Sequence, residues 1–366
     1  MNVVIVFPSP FSDERALSET IQKAAGGTIS VNVEYNCIIC ETRDVVELAS
    51  RLAGMYGIKS VAIANKLPTN FSDVTAAIVE VGSKVMLPGD RFYVKVIVQP
   101  AAECDYVSRD VEFAASGTLA ARLASIKVLP AKTEEAASRV VLAVIAKEYA
   151  YVCIQVMDGP GGFIIGSQGR VLSSIHDSLS CFACLMAAKA GFDCTSIVLP
   201  YVDESELAIN AKLLQLFATT TRRKKQKILA MPINVPAKGR VSVLLKQKII
   251  SKILVKCQNN NNNNRIVLPL STAVHPIWFI ESIIKETVFA RKMPFVPLMF
   301  LSTELDRYAQ EVGIEQLNVS PVKVAKGVLE KYSSTIDTQA RLAINHMKTL
   351  DLKIGPNYLH DIIDAI

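Results

Sequence analysis

The residues best suited to chemistry lie between Gly159 and Ser178. The run DGPGGFIIGSQGR carries glycines at 159, 161, 162, 166 and 169, which let the backbone turn tightly or approach a ligand closely. A phosphate cradle needs that freedom, and so does a plain hinge, which is the commoner meaning of such a run. Ser173, Ser174, Ile175, His176, Asp177 and Ser178 follow. Asp177 and Ser178 suit either a phosphate contact or the start of a helix, where an Asp or Ser caps without any ligand.

Two Cys-x-x-Cys spacings, Cys37 with Cys40 and Cys181 with Cys184, raise a zinc alternative. Cys37-Ile-Ile-Cys40 reads as an apolar strand and Cys181-Phe-Ala-Cys184 as part of a helix. Neither has the turn residues of a zinc knuckle, so all four read as buried small hydrophobes. His176, His275, His346 and His360 share no ligand spacing, and no Ser-His-Asp order or GxSxG elbow occurs. No metal site and no catalytic residue are expected.

Charge supplies the other signal. The 366 residues hold 40 Lys and Arg against 34 Asp and Glu, yet from Leu207 to Ile280 there is no acidic residue at all. That segment holds Arg222, Arg223, Lys224, Lys225 and Lys227, then Lys246, Lys248, Lys252 and Lys256. On a helix, 248, 252 and 256 share one face. Like charges so stacked repel, and an anionic partner would relieve them; the plainer alternative is a solvated basic face. Upstream, Arg91, Lys95, Arg109, Arg122 and Lys127 are further candidate phosphate contacts.

The elements that must position these residues can be read from periodicity. NVVIVF, ERALSETIQKAA and SVNVEYNCIICE suggest a β-α-β start, and VVELASRLAGMYG a helix capped by Asp44. KSVAIANKL and RFYVKVIVQ read as strands around a helix capped by Ser72 or Asp73. After the glycine run, helices and strands alternate singly from Val171, which implies parallel crossovers and an open, doubly wound sheet. The six asparagines at 259–264 read as a loop, and the chain from Val322 as mostly helical, interrupted at Gly355 and Pro356. The fold class is therefore α/β.

GPGGFIIGSQGRVLSSIHDS, followed by AAKAGFDCTSIVLP, resembles the tRNA 4-thiouridine sulfurtransferases of the ThiI type. Their linker GPGG-x₃-G-x-x-G leads into a pyrophosphatase (PP) loop, S-G-G-x-D-S, that wraps the phosphates of ATP. RLAGMYGIKSVAIANKLP and RFYVKVIV look like that family's RNA-binding THUMP domain. The stretch RIVLPLSTAVHPIWFIESIIKETVFARKMPFVPLMFLSTELDRYAQEVGI matches its later pattern of elements. The resemblance covers roughly residues 30 to 320. It implies a ferredoxin-like subdomain at 1–45, a THUMP domain at 46–157, a linker at 158–170, a PP-loop-like domain at 171–321 and a helical extension at 322–366.

The sequence departs from the family at the loop. Ser174 and Ile175 stand where both glycines should be, and Ile175 is β-branched. Pro269, Leu270 and Ser271 replace a T-G-E-S-like stretch, and no cysteine follows Cys257. Ser173, Ser174, His176, Asp177 and Ser178 thus mark a degenerate nucleotide site.

The expected function is RNA binding, at the acceptor end of tRNA, without thiolation. Cofactors are not expected. ATP and magnesium enter only under the alternative, an active sulfurtransferase serving 4-thiouridine or thiamine thiazole synthesis. A protein-interaction scaffold is a third reading. A homodimer or a separate modifying enzyme would be a natural companion. With no apolar run near the ~20 residues of a membrane span and no secretion signal at the N-terminus, the expected location is the cytoplasm.

Overall fold

The computed structural model describes residues 2–25, 29–223, 225–257, 264–300, 302–314, 317, 320–354 and 362–363. The chain divides into two compact units, Met1–Gly162 and Phe163–Ile366.

The first unit opens with β1 (Asn2–Pro8), α1 (Glu14–Ala24), β2 (Ser30–Glu34), β3 (Cys37–Glu41), α2 (Val45–Leu52) and β4 (Ile58–Leu67). Then come α3 (Phe71–Val85), β5 (Arg91–Val98), α4 (Ser108–Leu123), β6 (Leu129–Pro130), β7 (Arg139–Ile145) and β8 (Ala150–Asp158). Helix starts are set by short polar side chains: Asp13, Asp44 and Asn70 each accept from the amide three residues on. Asn70 therefore caps α3, ahead of Ser72 and Asp73 within the same turn.

All eight strands form one sheet in the order β2-β3-β1-β4-β8-β7-β5-β6. The first four strands, with α1 and α2, make a βαββαβ ferredoxin-like unit in which β1 pairs antiparallel with both β3 and β4. The expected boundary at residue 45 cuts through this unit. Helix α2 and strand β4 complete it, so it runs to Leu67, and the stretch RLAGMYGIKSVAIANKLP belongs to it. Strand β5 alternates in burial, with Phe92, Val94 and Val96 buried in one core with α3 and α4 while Arg91 stays exposed.

In the second unit, β9 (Arg170–Ser174), α5 (Ser178–Lys189), β10 (Asp193–Tyr201), α6 (Glu204–Thr220) and β11 (Lys225–Pro232) alternate as expected. They continue into α7 (Arg240–Lys256), β12 (Arg265–Val267), α8 (Ile277–Phe289), β13 (Met293–Phe295) and α9 (Thr303–Glu311). The sheet order is β13-β12-β9-β10-β11, parallel throughout, with β14 (Lys348–Lys353) beside β11. Strands β10 and β11 lie to one side of β9, β12 and β13 to the other. The switch in direction falls between β9 and β12, where doubly wound sheets open a crevice.

The C-terminal stretch is not a separate helical extension. α10 (Ser333–Asn345) packs on α7, and β14 (Lys348–Lys353) joins the sheet antiparallel to β11. Ile336, Ala340 and Ala343 sit in the same core as Phe182, Phe217 and Phe279. Gly355 and Pro356 lie outside the described residues, as do 259–263 of the asparagine run. Among the described residues no helix is long and apolar enough to cross a membrane.

Candidate functional site

The glycine run is strapped down in both halves. The Gly161 amide donates to Ile58 O and the Gly57 amide to Gly161 O, while Phe163 N donates to Lys189 O and Gly166 N to Gly191 O. A Cβ on Gly159 would collide with Ile58 O, so close backbone approach explains that glycine. These glycines serve turns and packing against their own units.

Beyond the run, strand β9 ends at Ser174 and α5 begins at Ser178, giving the strand-turn-helix in which a phosphate loop would sit. Four amides of the turn have partners inside the protein. Ile175 N donates to Val198 O, while His176 N and Asp177 N both donate to Ser180 Oγ. Ser180 N donates to Asp177 Oδ1 at 2.7 Å, which makes Asp177 the cap of α5. The Ile175 side chain is fully buried. An anion nest needs inward-turned amides without partners, and these four have theirs.

Of the five expected nucleotide positions, the turn brings four together. Ser174 and His176 are buried, Asp177 is half exposed at its side chain, and Ser178 opens the helix. Ser173 is buried within β9. His176 Nε2 lies 2.9 Å from Gln247 Oε1 and Nδ1 lies 3.3 Å from Ser174 Oγ. One tautomer satisfies both contacts: Nε2–H donates to the Gln247 carbonyl and Nδ1 accepts from the serine hydroxyl. Burial holds the His176 pKa below its ordinary value, so the ring is neutral near pH 7.

Of these, His176 and Asp177 border a cleft of ≈ 990 Å³ at the C-terminal ends of the strands. It continues along Asp203 and Glu206 after β10, Arg240 and Lys246 on α7, and His275 after β12. Sequence reading missed these positions, although residues just past each strand of a doubly wound sheet are the ones that line its crevice. Asp203 caps α6, and the Glu206 amide with the Ser205 hydroxyl holds its carboxyl below the usual range. Glu206 pairs with Lys246. Burial depresses His275 to about 4, and its Nδ1 accepts from the Ser271 amide at 3.2 Å.

The lysine stripe of α7 requires a correction. Lys248 pairs with Glu286 at 2.6 Å, and Lys252 and Lys256 pair with Asp337 at 3.2 and 3.4 Å. The repulsion along the stripe is relieved by carboxylates of α8 and α10, which the sequence places 38 to 85 residues away and so hides from any local reading.

The other basic candidates gather only in part. Arg222 and Lys225 are exposed, Arg223 pairs with Asp193, and Lys224 lies outside the described residues. In the first unit Lys95 pairs with Glu134. Arg109 and Arg122 stand at opposite ends of α4, roughly 20 Å apart at 1.5 Å per residue. Arg122 and Lys127 lie toward the end of β5 that carries Arg91, because Leu129 pairs with Arg91.

The cysteine pairs do not converge. Neighbouring strand residues point to opposite faces, so Cys37 and Cys40, three apart on β3, cannot grip one ion. Burial pushes the Cys37, Cys40 and Cys181 thiols up to about 12. Among the described residues no group of three or more His, Cys, Asp or Glu could hold a metal.

No family model and no curated protein matches the chain. Solved structures do. A 4-thiouridine synthetase in complex with RNA and bound ATP superposes with a TM-score of 0.69 over 96% of this chain and 100% of that one, at 13% identity. The chain has the fold of that synthetase. PH1313 from Pyrococcus horikoshii superposes with a TM-score of 0.59 over 86% of this chain and 100% of its own, at 18% identity. At such identities the likeness shows the fold alone.

Proposed function

We propose that this chain binds tRNA through a fold shared with 4-thiouridine synthetase and does not carry out ATP-dependent thiolation. The observation that carries the second half is the turn after β9, where the amides of Ile175, His176, Asp177 and Ser180 already have protein acceptors. A triphosphate there would have to displace an N-cap and a serine bridge that already satisfy these amides. ATP with magnesium therefore fits the turn poorly. The sequence also has no cysteine after Cys257 to carry sulfur.

The RNA half rests on fold-level analogy with a synthetase solved with RNA, and on the excess of cations in the second unit. The chain positions RNA, in the cytoplasm, for a separate enzyme. The nucleic acid is held by backbone contacts, which orient without reading sequence.

A second reading, active thiolation, is favoured by one feature, the ≈ 990 Å³ cleft at the switch point. Calorimetric titration separates the two. The proposal expects no heat with millimolar ATP and magnesium and saturable binding of tRNA; saturable ATP binding, with 4-thiouridine formed in the tRNA, contradicts it.

A further inference from the structure

Parallel strands of the second unit begin together at one end of the sheet, opposite the cleft, and that end is cationic. Arg170 starts β9, Lys225 starts β11 and Arg265 starts β12, while Lys353 ends the antiparallel β14. The register sets Lys225 directly against Lys353, and both are exposed. Like charges directly opposite on neighbouring strands destabilise a sheet. Unlike the lysines of α7, none of these four has a carboxylate partner among the described residues. Asp193, which pairs in register with Arg170, is committed to Arg223. Glu311, at the end of α9, acts on Lys189.

Backbone geometry supplies an independent observation. Helices α5, α6, α8 and α9 end at this same edge, and the residue just past the C-cap of each adopts a left-handed conformation there. After α5 and α9 it is glycine, Gly191 and Gly313, each at φ +87°. After α6 and α8 it is arginine, Arg222 at φ +50° and Arg291 at φ +58°. Arginine bears a Cβ penalty at such a position that glycine escapes. Favourable interaction of a cation with the helix C-terminus accounts for charge in the last turn. It does not account for the two lysines set against each other, nor for Arg291 where the neighbouring α9 uses glycine.

We propose that this edge of the second unit, from Arg291 across Arg265 and Arg170 to Lys225 and Lys353, is a docking surface for the RNA phosphate backbone. The inference rests on the RNA-binding reading and gives it a location. Phosphates bridging Lys225 and Lys353 would remove their repulsion, and counterions released from the RNA would make binding steeply salt-dependent.

The test is the salt dependence of tRNA binding by the full chain and by three variants, each checked by thermal melting. In Arg291→Gly/Arg170→Gln the backbone strain at 291 is relieved and an exposed cation at 170 is removed, so the melting temperature should hold while the slope of log affinity against log salt falls by about 1.5. Lys225→Gln/Lys353→Gln should lose a similar slope while folding at least as well. Lys252→Ala/Lys256→Ala, which removes paired lysines of α7, should keep the full slope.

If the first two variants bind RNA with unchanged slope, the edge is not the docking surface and the RNA-binding reading survives. If the unaltered chain fails to bind tRNA at low salt, that reading falls and takes the inference with it. If polyglutamate competes as well as RNA of equal charge, and both are lost in the first two variants, the edge serves an acidic protein and the assignment to phosphate is overturned.

Discussion

Asp177 closes the turn after β9 with its own carboxylate, taking the Ser180 amide that a ligand would need. Replacing it by alanine should cost about 1 kcal/mol of stability, the usual loss for a helix cap, and leave RNA affinity unchanged. Urea unfolding beside an RNA titration checks both. This role was legible in advance, because a cap depends on residue type and on neighbours within one turn. The partners of His176 were not, since Gln247 lies 71 residues away. His275 gives a pH prediction. It titrates near 6.5 in the unfolded chain and at about 4 in the fold, so unfolding takes up a proton below pH 6.5. Stability from this group is fully present above pH 6.5 and lost as the pH falls toward 4, by up to roughly 3 kcal/mol. His275→Gln should flatten the pH 6.5 to 5 segment of the stability curve; an unaltered segment would show the ring to be solvated and freely protonated.

At the scale of elements, α7 shows how a charge pattern can mislead. Its lysines recur every four residues, and nothing local reveals that α8 and α10 bring carboxylates to them. Asp337, pushed up by burial but held below the usual carboxylate range by Lys252 and Lys256, is the common partner. Asp337→Asn should destabilise the second unit by no more than about 1 kcal/mol, because the pairs are partly exposed. Denaturant titration measures that loss. The single alternation of helices and strands made the doubly wound sheet readable, whereas β14 was missed although Leu350 and Leu352 alternate with Asp351 and Lys353, because its place in the sheet depends on antiparallel pairing with β11 far away in sequence. The ferredoxin-like unit was placed too short for a related reason: its fourth strand follows a helix and joins the sheet only through long-range pairing with β1. Gly159→Ala tests the strap between the glycine run and β4. Its Cβ would collide with Ile58 O, and the loss should be roughly 1–3 kcal/mol in thermal or chemical unfolding.

For the whole molecule, the two ends of the second sheet carry different chemistry. The strand C-termini surround a cleft edged by capped helices, neutral histidines and paired charges, while the strand N-termini present cations without carboxylate partners. In this fold, shared with a synthetase solved with RNA and ATP, the turn after β9 is closed by its own side chains and the opposite edge of the sheet is basic. The most direct test is fluorescence anisotropy of labelled tRNA with the full chain, across about 50 to about 200 mM salt, with and without saturating ATP and magnesium. A linear fall of log affinity with log salt, identical with and without nucleotide, is the predicted result. No binding at the lowest salt, or an affinity that changes when ATP is added, would contradict the account.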